Sequence, residues 1–282
     1  MIEIKGLFRT YGSGTNIRTV IDGIDINIER GKFTAILGRN GSGKSTLARH
    51  INAILRPQKG FVNVDGMDTR DPELVYDIRS KAGMVFQNPE SQAVASIVED
   101  DTAFAPENLG LPPEEIQQRV DYALSATGIS HLGKRPITSL SGGQKQLTAI
   151  AGILAMKPDY MIFDEGTSML DPSARRRIIN CVMDLKKETG IGIIWITHYM
   201  EEAADADRVI ILDNGHIAAD DIPEKVFSNA ELIEHCGLSI PPAAQISLML
   251  KNKGYPLPRI AVTNSELTEM IYSMTEGRND QN

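Results

Sequence analysis

Between the apolar run Phe33-Thr-Ala-Ile-Leu37 and a proline- and glycine-free stretch from Lys44 to Ile54 lies Gly38-Arg39-Asn40-Gly41-Ser42-Gly43-Lys44-Ser45. It matches G-x-x-x-x-G-K-[ST] in the strand–loop–helix setting that the pattern requires. No other segment restricts the fold as much. Glycines let a backbone wrap closely around a phosphate, its N–H groups and the positive end of the following helix face the anion, and the Lys44 ammonium adds a mobile charge. Ser45 offers a hydroxyl to Mg²⁺. A plain glycine turn accounts for Gly41 and Gly43 but gives no reason for Lys44 and Ser45 at a helix start. The candidate nucleotide ligands are therefore Gly38, Arg39, Asn40, Gly41, Ser42, Gly43, Lys44, Ser45 and Thr46.

Around this loop the patterning alternates. Residues 2–35 read as a β-rich opening, with a turn at Gly31-Lys32. Apolar strands at 158–164 and 191–197 flank an amphipathic helix at 174–189 that Gly190 stops, which predicts a parallel sheet with helices packed on it. Residues 208–219 read as a hairpin about Asn214-Gly215. A helical insert occupies about 92–156: from Pro113, the residues Ile116, Val120, Ala123, Leu124 and Thr127 share one face with Gly128 as the stop, and a further helix spans about Lys145 to Ala155. The main domain is placed at 1–230. Residues 231–282 form a small appendage in which Thr263 and Glu266 have capping-box spacing, Leu267, Met270, Ile271 and Met274 make an apolar stripe, and the last six residues fray.

Chemistry gathers at a few strand ends. Tyr160-Met-Ile-Phe163 runs into Asp164 and Glu165, where a buried strand would simply stop. Adjacent strand residues point to opposite sides, so the two carboxyls can divide the work. Asp164 is expected in the Mg²⁺ shell and Glu165 at the water in line with a γ-phosphate, as the catalytic base. A second acidic loop, Ser168-Met-Leu-Asp171, precedes a helix that Pro172 starts. Leu140-Ser141-Gly142-Gly143-Gln144 opens another helix, with Ser141 suited to cap it.

The string Leu-Ser-Gly-Gly-Gln, between the glycine loop and the Asp-Glu pair, is the signature of the ABC ATPase family, which the chain resembles over about residues 1–230. The resemblance implies an α/β P-loop NTPase with a RecA-like core, an N-terminal antiparallel β subdomain, an inserted helical subdomain and a C-terminal extension. It implies ATP and Mg²⁺ as ligands and a head-to-tail dimer, in which Ser141, Gly142, Gly143 and Gln144 act on the γ-phosphate held by the opposite subunit. Gln87, after Gly-Met-Val-Phe, looks like the loop glutamine that contacts Mg²⁺ and couples to the membrane. His198 looks like the switch histidine, Tyr11 like the adenine-stacking aromatic, and Asp171 like the D-loop aspartate. Two positions depart from the pattern. Gly166 stands where proline or alanine is usual and is expected to loosen the Glu165 loop and slow hydrolysis, and Leu147 stands where arginine often follows the signature.

Phe86-Gln-Asn-Pro-Glu-Ser-Gln92, Pro106-Glu-Asn-Leu-Gly-Leu-Pro112, Thr167-Ser-Met-Leu-Asp-Pro172 and the Pro241-Pro-Ala-Ala-Gln245 tail are more specifically similar to the ATPases of energy-coupling-factor (ECF) importers. That likeness implies uptake of a vitamin or a transition metal such as cobalt. Its partners would be a second ATPase subunit, identical or related, a transmembrane coupling subunit docked in a groove after Gln87, and a substrate-binding membrane subunit. The place would be peripheral, on the cytoplasmic face of the cell membrane, with the extension helping dimerisation. Composition fits this reading. A net charge of −8 argues against a nucleic-acid partner, and apolar windows such as Ile-Gly-Ile-Ile-Trp-Ile-Thr fall short of a spanning helix. Cys181 and Cys236 are too far apart for metal or redox spacing. The N-terminus, with mixed charges and no apolar stretch, is not expected to be a signal peptide. Two alternatives stay open: an ABC ATPase not tied to transport, and a regulatory subunit that binds ATP and hydrolyses it weakly.

Overall fold

A computed structural model describes residues 1–14 and 16–279. From the N-terminus the elements are β1 (Ile2–Tyr11), β2 (Arg18–Ile28), β3 (Phe33–Leu37), α1 (Lys44–Ile51), β4 (Lys59–Val64), β5 (Met67–Asp68), α2 (Val75–Lys81) and β6 (Ala82–Val85). The insert holds α3 (Val98–Asn108), α4 (Pro113–Ala126) and α5 (Gly142–Leu154). Then come β7 (Tyr160–Asp164), α6 (Pro172–Thr189), β8 (Gly192–Thr197), β9 (Arg208–Asp213) and β10 (His216–Asp221), followed by α7 (Pro223–Ser228), α8 (Ala230–His235), α9 (Pro242–Asn252) and α10 (Asn264–Asn279).

Strand patterning decides which sheet each strand joins. β2 buries Ile21, Ile24, Ile26 and Ile28 and exposes most of the rest, and it pairs antiparallel with β1 in a sheet ordered β2-β1-β4-β5. β3, β7 and β8 are buried at every position. Runs of that kind suit a sheet covered on both faces. They pair in parallel at the centre of the order β10-β9-β3-β8-β7-β6, and only β10 runs antiparallel to its neighbour.

The period of two then sends alternate side chains into different cores. Phe33, Ala35, Leu37, Met161, Phe163, Ile193 and Trp195 meet the insert and α6, while Ile36, Tyr160, Ile162, Ile194 and Ile196 meet α1 and the antiparallel sheet. Asp164 continues the second set, so the alternation along β7 aims it at α1.

One boundary and one helix differ from expectation. α1 ends at Ile51 rather than Ile54, because Asn52 caps it and Ala53 takes φ 54°. Within the insert, placed at about 92–156, a helix forms ahead of Pro113 that no periodicity announces: α3 has Glu99, Asp100 and Asp101 in its first turn, where carboxylates favour the helix dipole, and it carries Pro106 near its end. Gly190, at φ 68°, stops α6 as its sequence predicts. In the appendage Thr263 Oγ1 accepts from Glu266 N at 3.2 Å and Glu266 Oε2 accepts from Thr263 N at 3.2 Å, the reciprocal box its spacing implies. Leu267 and Met270 are buried there with Ala243, Leu257 and Ala261, whereas Ile271 of the same stripe is 40% exposed. Ile233, Cys236, Ala244, Ile260 and Val262 join the main core instead. α10 holds residues as far as Asn279, so the first three of the six terminal residues are helical; 280–282 lie outside the described residues.

Candidate nucleotide site

The glycine loop sits between β3 and α1, and its geometry follows from what glycine permits. Gly43 has φ 110°, and a Cβ there would lie 2.7 Å from the Val20 carbonyl oxygen, so no other residue fits without moving β2. Gly43 is also the N-cap of α1, and no side chain among the described residues caps that helix. Its first-turn N–H groups are therefore left to whatever lies in the cleft ahead. The cleft, of about 340 Å³, is lined by Asn40, Gly41, Lys44, Ser45, Gln87 and Glu165 among others.

Lys44 is buried, and its Nζ donates to the carbonyls of Gly38 at 2.8 Å and Arg39 at 3.1 Å. It lies 3.7 Å from Glu165 Oε1. Burial draws its ammonium below the ordinary lysine range, against the pull of Glu165 and Asp164. The Arg39 side chain packs over Gly237 instead, so this residue serves the loop through its backbone. Ser42 is buried with its hydroxyl unpartnered beside Gly38, and Tyr11 lies at the edge, its hydroxyl 3.5 Å from Thr46 Oγ1 and one ring face under Arg9.

Asp164 arrives where the alternation of β7 directs it and accepts from Ser45 Oγ at 2.6 Å. Burial raises its carboxyl above the ordinary range, opposed by the Ser45 hydrogen bond and by Arg49. Glu165 turns the other way, at φ 54°. Its Oε2 is 3.3 Å from Gln87 Nε2 and 3.8 Å from His198 Nδ1. Gln87 also donates to Ser168 Oγ at 3.1 Å, a neighbour that no sequence signal announces; Val20 likewise lines the cleft from β2 without any. Hard oxygen donors from Ser45, Asp164 and Gln87 suit a cation that shares its shell with phosphate oxygens and water, as Mg²⁺ does. No cluster of three or more His, Cys, Asp or Glu capable of holding a metal occurs among the described residues.

The loop after Glu165 packs closely at Gly166. Gly166 has ordinary φ, and a Cβ on it would meet Gln146 Nε2 at 3.0 Å and Phe163 Cδ1 at 3.5 Å. The glycine is set against neighbouring side chains, and the left-handed conformation belongs to Glu165.

A second cleft, of about 270 Å³, shares no lining residue with the first. Ser141, Gly142, Gly143 and Gln144 line it, with Asp171 and Arg177. Ser141 Oγ accepts from Gln144 N at 3.4 Å while Gln144 Oε1 accepts from Ser141 N at 3.0 Å, a full capping box on α5. Asp171 caps α6 through Ser173 N at 2.9 Å and Ala174 N at 3.0 Å. Leu147 is buried at the rim, joined to the main core.

Known proteins match this arrangement. The profile of the ABC transporter family matches residues 21–168. The energy-coupling factor transporter ATP-binding protein EcfA1 of Caldanaerobacter subterraneus subsp. tengcongensis is 50% identical over 252 residues, 89% of this chain and 91% of that protein. The chain belongs to the ABC transporter family. ATP binding and hydrolysis are that family's enzymatic work, and the fold is that of its ATPases. Among solved structures, cbiO1 of Clostridium perfringens, described as part of the ABC transporter complex cbiONQ, superposes with TM-score 0.75 at 37% identity, covering 89% of this chain and 98% of its own. The cassette MJ0796, in a dimeric post-hydrolysis state bound to ADP and Pi, superposes with TM-score 0.72 at 28% identity, covering 79% and 99%. No helix among the described residues of this ABC protein is long and apolar enough to cross a membrane.

Proposed function

We propose that this ABC ATPase is the ATP-hydrolysing subunit of an ECF-type importer of a micronutrient, a vitamin or a transition metal such as cobalt. It would work as one half of an ATPase pair on the cytoplasmic face of the membrane. The observation that carries the reading is that the chain holds two clefts of complementary chemistry with no lining residue in common, the glycine cradle and the signature tip, which suits a nucleotide held in one and met by the other across two subunits. In that sandwich the N–H groups of Gly142 and Gly143 and the Ser141 hydroxyl add positive potential at the γ-phosphate, where phosphoryl transfer needs it. Lys44 holds the β- and γ-phosphates, and Tyr11 stacks on the adenine. Ser45, Asp164 and Gln87 hold Mg²⁺, which when bound offsets charge on the phosphate oxygens. Glu165 orients the attacking water and takes its proton, and His198, 3.8 Å from Glu165, steadies that geometry.

The membrane side of the reading is supported by a groove of about 150 Å³ between the segment after Gln87 and the insert. Val94 and Phe104 stand at it 59% and 43% exposed, which suits the apolar face of a short helix from a transmembrane subunit. Residues 1–230 form the engine, and 231–282 contribute to pairing of the ATPase subunits. Coexpression with the products of neighbouring genes tests the proposal. A membrane complex containing this chain, a second ATPase, a coupling protein and a substrate-binding protein is expected, with substrate-stimulated ATP turnover; a chain that never enters the membrane fraction would sink it.

A further inference from the structure

Glu202 lies in the short turn Met200–Ala203 after β8 and is 2% exposed. A carboxyl buried to that depth is costly unless its oxygens are partnered. Here they are. Oε1 accepts from the Thr167 hydroxyl at 2.6 Å, and Oε2 accepts from Trp195 Nε1 at 2.9 Å. Arg175 Nε stands 3.4 Å from Oε1, an ion pair without hydrogen-bond alignment. The Arg175 guanidinium lies 3.4 Å from the centre of the Tyr199 ring, which is 4.2 Å from the ring of His198.

These partners come from separate parts of the catalytic apparatus. Thr167 is two residues after Glu165, Trp195 sits on β8 against Phe163 of β7 with centroids 4.5 Å apart, and Arg175 is in the first turn of α6 after Asp171. Glu165 holds φ 54°, a conformation that persists in a residue with a side chain only where its surroundings fix it. Upstream it is fixed by its own N–H on the Ile196 carbonyl at 3.0 Å. Gly166 has no side chain to add, so the Thr167 hydroxyl on Glu202 is the next side-chain tether along the loop. An apolar side chain would fill the same space without the desolvation cost, but it would not fix direction.

We infer that Glu202 is a positioning residue for hydrolysis, fastening the loop that carries Glu165 to the turn that follows His198. The inference rests on the reading of Glu165 as base. It touches no nucleotide ligand, so its effect falls on turnover and spares ATP binding.

Steady-state ATPase and binding of a fluorescent ATP analogue, measured on the full chain in the assembly in which the wild type turns over, decide the matter. Glu202→Gln and Thr167→Val are expected to lower kcat by about 10- to 100-fold with KM and analogue affinity within about 2-fold, since small misplacements of a reacting group have effects of that size. Thr167→Ser, which keeps the hydroxyl, is expected to restore most of the rate, and the exposed neighbour variant Glu201→Gln to keep all of it. In a Glu165→Gln background Thr167→Val is expected to cost nothing further, because the two act as a unit. Equal losses in Thr167→Val and Thr167→Ser, or in Glu201→Gln, overturn the inference. Should Glu202→Gln fail to fold, the two Thr167 variants decide alone. A wild-type rate in Glu165→Gln removes the base reading, whereas an inactive Glu165→Gln beside fully active Thr167→Val and Glu202→Gln removes only the role given to Glu202.

Discussion

Two helices of this protein begin among glycines, and the chain finishes their tips differently. At α1 no side chain among the described residues caps the helix and Lys44 is drawn over the loop by two carbonyls, so a set of donors waits for an outside acceptor. At α5 the box between Ser141 and Gln144 closes the tip from within. One tip is built to hold an anion alone, and the other is stable alone and adds to a grip made elsewhere. Binding should therefore belong to one subunit and cleavage to two.

The most damaging way to probe the first tip is Lys44→Ala. ATP affinity is expected to fall by about 100-fold or more, the scale for losing a buried charge contact, and calorimetry on the isolated chain measures it. If affinity stays intact, the first tip is not the one that holds phosphate. Glu165→Gln keeps Lys44 and the Ser141 box in place, so ATP should bind normally, turnover should drop by about 100-fold, the scale of general-base loss, and a closed ATP-loaded dimer should accumulate on gel filtration. Undiminished steady-state hydrolysis in this variant removes the assignment of Glu165. Ser141→Arg tests the second tip: about 100-fold slower hydrolysis, the scale of losing one donor to a developing anion, with monomer affinity for ATP unchanged. Weakened binding by the monomer would erase the distinction between the tips.

Smaller effects sharpen the picture. Asp171→Ala removes the cap of α6 beside the second cleft and should cost about 1 kcal/mol in chemical denaturation. The Asp164 carboxyl sits above its unfolded value because of burial, so its contribution favours the fold below the unfolded carboxylate value and fades as pH rises through the raised one. Asp164→Asn should therefore raise the melting temperature of the nucleotide-free protein at neutral pH by about 2 °C, with less gain in acid, which thermal scans across pH will show. A loss of stability at neutral pH would mean that the Ser45 contact outweighs the burial.

Much of this was legible in the residues, for reasons that differ from place to place. The glycine loop, the run into Asp164 and the hairpin at Asn214-Gly215 are local devices, each legible within about ten residues. Asp164 meeting Ser45 also followed, since alternation along β7 dictates a side. α3 did not follow, because its stability comes from acidic residues at its start and from burial of Val98 and Thr102, which no period displays. Nor did Glu202: a glutamate in Tyr-Met-Glu-Glu-Ala reads as surface until Trp195 of the preceding strand and the more distant Thr167 and Arg175 close on it. The close approach of Gln146 to Gly166 is likewise a tertiary fact that no local pattern carries.

One further consequence lies in α5 itself. Its first turn forms the signature tip, while Lys145 pairs with Glu90 and lines the groove together with Ile153 near the far end. Thirteen residues make a rod about 20 Å long. A tilt of about 10° at the tip would carry its other end about 3 Å, a displacement set by helix rise alone. The same rigid lever would thus gauge the neighbour's nucleotide at one end and press on the docking surface at the other, with no intervening joint to absorb the stroke.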